Sequence, residues 1–295
     1  MLWVSTVMES PVSNYLWYNI HMKSYNCVVC IKQVPDTKKV TGEAMKADGT
    51  INRAALPAIF NPEDRNALEA ALWVKETYGG SVTVITMGLP AATAILREAL
   101  MCGADRAVLV TDRKAAGSDT LATSYILSQA VKKFNPDLVF CGRQAIDGDT
   151  AQVGPQIGEK LDCAVVTYLE KILEVKEEGE GEQRKTFVTA VRDIGTGIET
   201  CRAKLPALFT VTEKFGELRP FQMRRVMKYK NAEPEILSCD DIGAEADRCG
   251  FAGSPTCVNA IQSVVLAGGA FKEIAATDEG IRGLVKELID EHTIG

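Results

Sequence analysis

Histidine is almost absent from this sequence, and there is no excess of basic residues. The only two histidines, His21 and His292, lie near the chain ends, so the interior offers none for a Ser-His-Asp or Cys-His catalytic set. The 33 basic and 39 acidic side chains give a formal charge of −6, whereas nucleic-acid binders usually carry the opposite excess. Hydrolytic catalysis and nucleic-acid binding are therefore disfavoured, and ligand binding or electron carriage is favoured.

Long apolar runs and common phosphate-binding motifs are also missing. No segment reads as a membrane span, and the pattern G-x-x-x-x-G-K-[ST] of Walker-type ATPases does not occur. Residues 1–24 have neither the basic start nor the apolar core of a secretory signal. We interpret residues 1–24 as an N-terminal extension that is disordered or follows from a non-native start, and we expect a cytoplasmic protein.

The nine cysteines show no pattern of a disulfide framework or a metal site. Their number is odd, and most of them lie in apolar runs, as is typical of reduced, buried thiols. Cys27 and Cys30 have CxxC spacing, but they lie in a strand-like run, where residues three apart point to opposite faces. Without a second CxxC or an internal histidine, we expect no metal.

Apolar side chains make up 46% of the 295 residues, enough for a sizeable core and about two domains. Between residues 25 and 161, near-continuous apolar runs alternate with helical patterns. This alternation predicts an α/β fold: a doubly wound, mainly parallel sheet with helices on both faces, of the nucleotide-binding type. The predicted strands are 27–31, 81–87, 106–110 and 138–141, and the predicted helices are 63–78, 91–102, 120–134 and about 151–161.

The sequence pattern changes after Cys163, from alternating strand and helix patterns to successive strand patterns. Strand-like runs at 165–175, 186–191, 200–205 and 208–211 predict a β-rich appendage. Residues 219–230 (RPFQMRRVMKYK) hold five cations and no acid, and helical apolar spacing near the C-terminus predicts a helical arm. We expect a nucleotide-binding domain over 25–235 and a C-terminal arm over 236–295.

Ligands of open parallel sheets bind beyond the carboxyl ends of the strands, where the strand order reverses. Two loops after predicted strands begin helices there. Residues 116–124 (AGSDTLATS) suit phosphate at a helix start, although an ordinary Ser or Asp cap explains them equally well. Residues 142–155 (GRQAIDGDTAQVGP) add a second helix start, and Arg143 is a candidate charge partner for phosphate or reduced flavin. A pyrophosphate between the two requires Asp147 and Asp149 to face away or to bind ribose hydroxyls.

Several stretches, in this order, resemble the β (small) subunit of electron transfer flavoproteins. They are CVVCIKQVPDT, FNPEDRNALEAAL, VTVITMGLP, GADRAVLVTD and GRQAIDGDTAQVGPQIGEKL, and the resemblance covers about residues 25–260. The presence of both GSDTLATS and DGDTAQVGP resembles the electron-bifurcating group of that family. The chain departs from the family pattern at Gly195 and Thr196, where the family has acids, and at Cys201, where it has an aliphatic residue.

The resemblance implies a heterodimer with an α subunit that carries FAD. In bifurcating members, the β subunit binds a second FAD that accepts hydride from NADH. One electron then passes to ferredoxin or flavodoxin, and the other passes through the α-subunit FAD to an acyl-CoA dehydrogenase or reductase. In non-bifurcating members, AMP occupies the same pocket. An ATP-using enzyme or a nucleotide-sensing module on the same fold remains an alternative of another class.

The resemblance also implies roles for individual residues. The adenosine end would be lined by Cys30, Asn61, Pro62 and Met87. The phosphates would lie among Asp119, Thr120, Thr123, Thr150, Gln152 and Val153, and Arg143 would lie near the flavin. Gly88, Asp147, Gly148 and Ala151 complete the predicted cofactor-binding set. The basic segment 219–230 would dock a partner dehydrogenase through Met223, Arg224, Arg225 and Lys228, and the C-terminal arm would dock on the α subunit.

Overall fold

A computed structural model gives the fold and describes residues 24–36, 56–256, 272–291 and 293–294. The N-terminal extension expected over residues 1–24 lies outside the described residues, except for Ser24. The strands are β1 (Tyr25–Cys30), β2 (Gln33–Pro35), β3 (Ala58–Phe60), β4 (Gly80–Met87), β5 (Arg106–Val110), β6 (Leu138–Gly142), β7 (Ala164–Glu178), β8 (Lys185–Asp193), β9 (Ile198–Lys204), β10 (Ala207–Val211) and β11 (Glu235–Leu237). The α-helices are α1 (Pro62–Tyr78), α2 (Thr93–Cys102), α3 (Thr120–Lys132), α4 (Val153–Lys160), α5 (Met223–Tyr229) and α6 (Asp278–Asp290).

Nine strands form one sheet in the order β11-β5-β4-β1-β6-β10-β7-β8-β9, and β2 and β3 pair separately. The strands from β11 to β7 pair in parallel, whereas β7, β8 and β9 form an antiparallel extension. Short apolar strands such as β6, buried along their whole length, need cover on both faces. Helices provide it, so the predicted fold class is confirmed.

The two faces of the sheet have separate cores. Leu68 of α1 and Leu96 of α2 pack on one face, and Ile126 of α3 and Ile157 of α4 pack on the other. Cys27 belongs to the first core and Cys30 to the second, as predicted for strand residues three apart. Across the described residues, no cluster of three or more histidine, cysteine or carboxylate side chains could hold a metal.

The strand order reverses at the boundary between β1 and β6. From β1 the chain runs outward through α1, β4, α2 and β5, and α3 then returns it to β6 on the other side of β1. The connections that follow β1 and β6 therefore lead away to opposite faces. This divergence opens a crevice at the carboxyl edge of the sheet.

The segment after residue 235 joins the main sheet before the chain reaches its C-terminal helix. Strand β11 pairs in parallel with β5, and Leu237, Cys239 and Ile242 are buried in the second core. The expected boundary between residues 235 and 236 thus falls inside β11. The predicted C-terminal helix is α6, which buries none of its own residues. Among the helices the structure describes, none has the length and apolarity to cross a bilayer.

Candidate functional site

A cavity of about 420 Å³ occupies the crevice at the β1–β6 boundary. Its walls come from the ends of β1, β4 and β6 and from the starts of α3 and α4. Among the predicted cofactor-binding residues, those that line it are Cys30, Met87, Asp119, Thr120, Thr123, Arg143, Gly148, Thr150, Ala151, Gln152 and Val153. The lining also includes residues outside the predicted cofactor-binding set: Ile31, Lys32, Asp64, Ser118, Leu127, Cys141, Gly142, Gln144, Ala145, Asp149 and Gly154.

Four predicted residues, Asn61, Pro62, Gly88 and Asp147, lie outside that lining. Asn61 is fully buried, and its amide donates to the carbonyl of Gln144 at 2.9 Å. Pro62 is the first residue of α1, and the Gly88 N–H donates to the backbone of β5. Asp147 pairs with the ammonium of Lys32 at 2.7 Å. These contacts support the walls of the crevice from behind or hold its rim.

The start of α3 is capped by the side chain of Asp119. The Asp119 carboxylate accepts the N–H groups of Leu121 and Ala122 at 2.9 and 3.0 Å, and it also accepts the hydroxyl of Thr256. Burial opposes the charged form, but these hydrogen bonds hold the pKa of Asp119 below its usual value. The structure thus shows an Asp cap at this helix start, and Ser118, Thr120 and Thr123 beside it line the cavity.

The start of α4 is open by contrast. Gln152 provides no side-chain cap, and the N–H groups of Val153 and Gly154 have no acceptor among the described residues. The Gln152 side-chain oxygen instead accepts the hydroxyl of Thr120 at 2.9 Å, which links the two helix starts. Because unpaired N–H groups and the helix dipole both favour negative charge, α4 offers the anion site of the crevice.

The loop before α4 is held in an unusual backbone conformation. Asp149 and Ala151 have φ values of 50° and 53°, in the left-handed region that few residues with a Cβ adopt. The amide of Gln144 donates to Asp149 at 2.9 Å and fixes one of these residues. Strain of this kind often accompanies functional loops, and here it brings Thr150 and Ala151 to the crevice wall.

Arg143 reaches the crevice as half of an ion pair. Its guanidinium contacts both carboxylate oxygens of Glu63, at 2.6 and 3.1 Å. The hydrogen bonds to Glu63 raise the pKa of Arg143, so the side chain stays charged. Glu63 offsets much of that charge, which leaves a planar donor group rather than an isolated cation for a ligand.

Asp64 is the residue of the crevice that sequence reasoning missed most clearly. It appears in the sequence as an ordinary acid in the first turn of α1, yet it is buried and lines the cavity. It accepts the backbone N–H of Lys32 at 2.8 Å and that of Gly142 at 3.1 Å. Burial raises its pKa to about 7 despite hydrogen bonds from Asn61, Lys32 and Gly142.

The basic segment 219–230 contains helix α5. Met223 is 74% exposed, and Arg224 and Lys228 are also exposed. Arg225 differs, because its guanidinium is turned inward and donates to the carbonyls of Leu100 and Ala104 at the end of α2. Carbonyls at a helix end lack intrahelical partners, so they attract a cation.

Comparison with known proteins identifies the family. The model of the electron transfer flavoprotein domain matches residues 48–241. The chain belongs to the electron transfer flavoprotein family. It is 43% identical over 272 residues to the electron transfer flavoprotein subunit beta of Thermoanaerobacterium thermosaccharolyticum, covering 91% of this chain and 100% of the relative.

Two further relatives of the chain carry other names. Protein FixA of Azorhizobium caulinodans is 45% identical over 240 residues, which are 79% of this chain and 83% of FixA. The caffeyl-CoA reductase-Etf complex subunit CarD of Acetobacterium woodii is 41% identical over 270 residues, which are 90% of this chain and 99% of CarD. The recognition of the β-subunit family from sequence is thereby confirmed.

Gly142 must lack a side chain because α1 approaches it closely. A Cβ at this position would lie 2.4 Å from the Asp64 Oδ1 atom and 2.8 Å from the Asp64 nitrogen. We expect Gly142→Ala to lower the free energy of unfolding by about 1–3 kcal/mol, measured by urea denaturation. Gly148→Ala in the same loop is the control, because its Cβ would meet nothing within 4 Å. Equal stability of the two variants would contradict the close approach.

Asp64 should make stability fall as pH rises. Its pKa is about 7 in the folded chain against the ordinary value of 3.8, so the folded state binds the extra proton between these pH values. We therefore expect the free energy of unfolding of Asp64→Asn, relative to the unmodified chain, to increase from about pH 4 to about pH 7 and then level off. Urea unfolding at a series of pH values measures it.

Asp112→Asn is a control of opposite sign for that experiment. Hydrogen bonding from the Lys114 N–H lowers the pKa of Asp112, so its contribution to stability is present above about pH 4 and is lost as pH falls. We expect Asp112→Asn to reduce stability at neutral pH and to have less effect in acid. A flat difference for Asp64→Asn would show that Asp64 has an ordinary pKa.

Proposed function

We propose that this chain is the β subunit of a heterodimeric electron transfer flavoprotein and binds a nucleotide cofactor in the crevice between β1 and β6. The observation that carries the proposal is the open start of α4, whose free Val153 and Gly154 N–H groups line a cavity at the strand-order reversal. Such a site suits a phosphate group bound through main-chain amides. Membership of the family supplies the pairing with an α subunit.

The cofactor that we propose is FAD. The α4 N–H groups would hold its phosphates, the linked Thr120 and Gln152 side chains would border them, and Cys30 and Met87 would line the adenosine end. The planar guanidinium of Arg143 lies on the same lining, where it suits an electron-rich ring. FAD, when bound, accepts hydride and releases single electrons, while the chain binds and orients it.

We propose the electron partners from the resemblance to the electron-bifurcating group. NADH would deliver hydride, ferredoxin or flavodoxin would take one electron, and an acyl-CoA dehydrogenase or reductase would take the other through the α-subunit FAD. The relative named as a subunit of a caffeyl-CoA reductase-Etf complex supports an acyl-CoA-linked partner. A cytoplasmic location is part of this proposal, whereas a membrane span and nucleic-acid binding are not.

AMP in the same crevice is the second candidate, which would make this chain a non-bifurcating carrier subunit. A cavity of about 420 Å³ is at the small end of the usual range for ligand sites, about 300–1,000 Å³, and this size favours the smaller nucleotide. AMP would use the same N–H groups at α4, because its phosphate has the same chemistry.

Cofactor counting separates these functions. The complex with its α subunit is purified under native conditions, and flavin and AMP are counted after denaturation. Two FAD per heterodimer, together with NADH-dependent reduction of ferredoxin, supports the bifurcating function. One FAD and one AMP supports the carrier function. A chain that purifies alone with tightly bound ATP or AMP and no flavin would overturn both and favour the sensing or ATP-using class.

Docking of the dehydrogenase should depend on Met223. A flexible apolar side chain next to exposed cations suits a transient contact with an acidic surface. We expect Met223→Ala to lower kcat/KM for electron transfer to the dehydrogenase by roughly tenfold, with the cofactor content unchanged. Leu173→Ala, at another exposed apolar residue on β7, is the control and should leave the rate unchanged. An unaltered rate in Met223→Ala would rule out this anchor.

A further inference from the structure

One carboxylate joins the two strands that border the crevice. Oδ2 of Asp64 accepts the N–H of Lys32, two residues beyond β1, and Oδ1 accepts the N–H of Gly142, the last residue of β6. Lys32 and Gly142 each lie where the chain leaves the sheet and lines the cavity. The positions of both crevice walls therefore depend on the same side chain.

An ionised carboxylate suits this bridge better than any group of similar shape. Each of its oxygens can accept an N–H, whereas an asparagine offers one oxygen and turns its NH₂ group toward the other N–H. A protonated Asp64 has the same defect, because its hydroxyl hydrogen competes with a backbone hydrogen. Either change leaves Lys32 or Gly142 with a poorer partner.

The ionised form of the bridge is costly to bury. Asp64 is 7% exposed, and burial raises its pKa to about 7, so folding disfavours the ionised form relative to the unfolded chain. A neutral residue of the same size would not carry this penalty. A buried carboxylate with specific partners in a cleft is a candidate for a role in the site.

We propose that Asp64 is a positioning residue of the nucleotide crevice, and that its ionised carboxylate holds the chain after β1 and the end of β6 in the conformation that binds the cofactor. This inference rests on the proposed function, since it names what keeps that site in shape. It implies that protonation of Asp64 weakens nucleotide binding without any contact between Asp64 and the phosphates.

The charged groups nearest to Asp64 have partners of their own. Lys32 is held by Asp147, and Arg143 is held by Glu63, so the cations near Asp64 are paired. Hydrogen bonding to Cys30 and burial raise the pKa of the Cys141 thiol, which keeps it neutral near pH 7. The groups around Asp64 are Cys30 and Lys32 from the β1 side, Cys141, Arg143 and Asp147 from the β6 side, and Glu63 on α1.

The opposite edge of the same strand pair offers a matched control. Asp137, just before β6, accepts the N–H of Asn26 in β1 at 2.8 Å. Asp137→Asn thus weakens a carboxylate bridge between the same two strands, at their amino ends and away from the crevice. It separates a general loosening of the strand pair from a local effect on the cavity.

The test compares FAD binding by the full-length chain and by Asp64→Asn and Asp137→Asn, measured from flavin fluorescence between about pH 6 and pH 8. The ratio of dissociation constants, variant over unmodified chain, cancels any titration of the ligand itself. If the purified complex holds AMP, calorimetric titration with AMP replaces FAD. We expect the ratio for Asp64→Asn to be about ten at pH 8 and to approach one at pH 6, since one charge-assisted hydrogen bond is lost.

The outcomes separate the two proposals. A ratio near one for Asp137→Asn at every pH, with the pH-dependent ratio for Asp64→Asn, supports the positioning role. The positioning role would be overturned by a ratio for Asp64→Asn that is near one at pH 8 or that does not change with pH. It would also be overturned if Asp137→Asn gave the same pH-dependent ratio. Failure of the unmodified chain to bind either FAD or AMP would instead overturn the proposed function.

Discussion

The reversal of strand order at β1 is the constraint on which the rest of this structure depends. Parallel strands send their connections to whichever face the next helix covers, and here β1 and β6 send theirs to opposite faces. The chain can fill that divergence only with loops, so a crevice remains. Each feature of the site, from the open start of α4 to the buried acid under the loops, is arranged around this gap.

The two helix starts at the crevice have different roles. In the first turn of α3, the Asp119 carboxylate accepts the N–H groups of Leu121 and Ala122 and ties the turn to Thr256 of the segment that follows β11. The first turn of α4 has no side-chain cap, and two hydroxyls join the helices, since Thr120 donates to Gln152 and Ser124 donates to Gln156. One helix start therefore organises the protein, and the other is available to an anion.

The sequence predicted the sheet well wherever burial was two-sided. The apolar runs of β1, β4, β5 and β6 are near-continuous, and their bounds differ from the predicted ones by at most two residues at each end. Prediction failed where the signal was short or charged. Strand β11 has three residues in an acidic segment, and β7, predicted over 165–175, continues to Glu178 through three charged residues. At the site, sequence analysis identified the loops that line the crevice, but it did not predict which way their side chains point. Nothing local distinguishes the buried Asp64 from the neighbouring Glu63, since only the approach of β6 to α1 separates their surroundings.

Helix α5 shows how a small exposed element is kept in shape. It has seven residues and buries none, and an isolated helix of that length would not persist in water. The guanidinium of Arg225 under the end of α2, together with the Gln222 N–H donated to Met101, anchors it to the body of the protein. The exposed cations beside it thus lie on a helix that is fastened at its start and on its inner side. If this segment docks a partner as proposed, association would sacrifice little conformational freedom of its backbone.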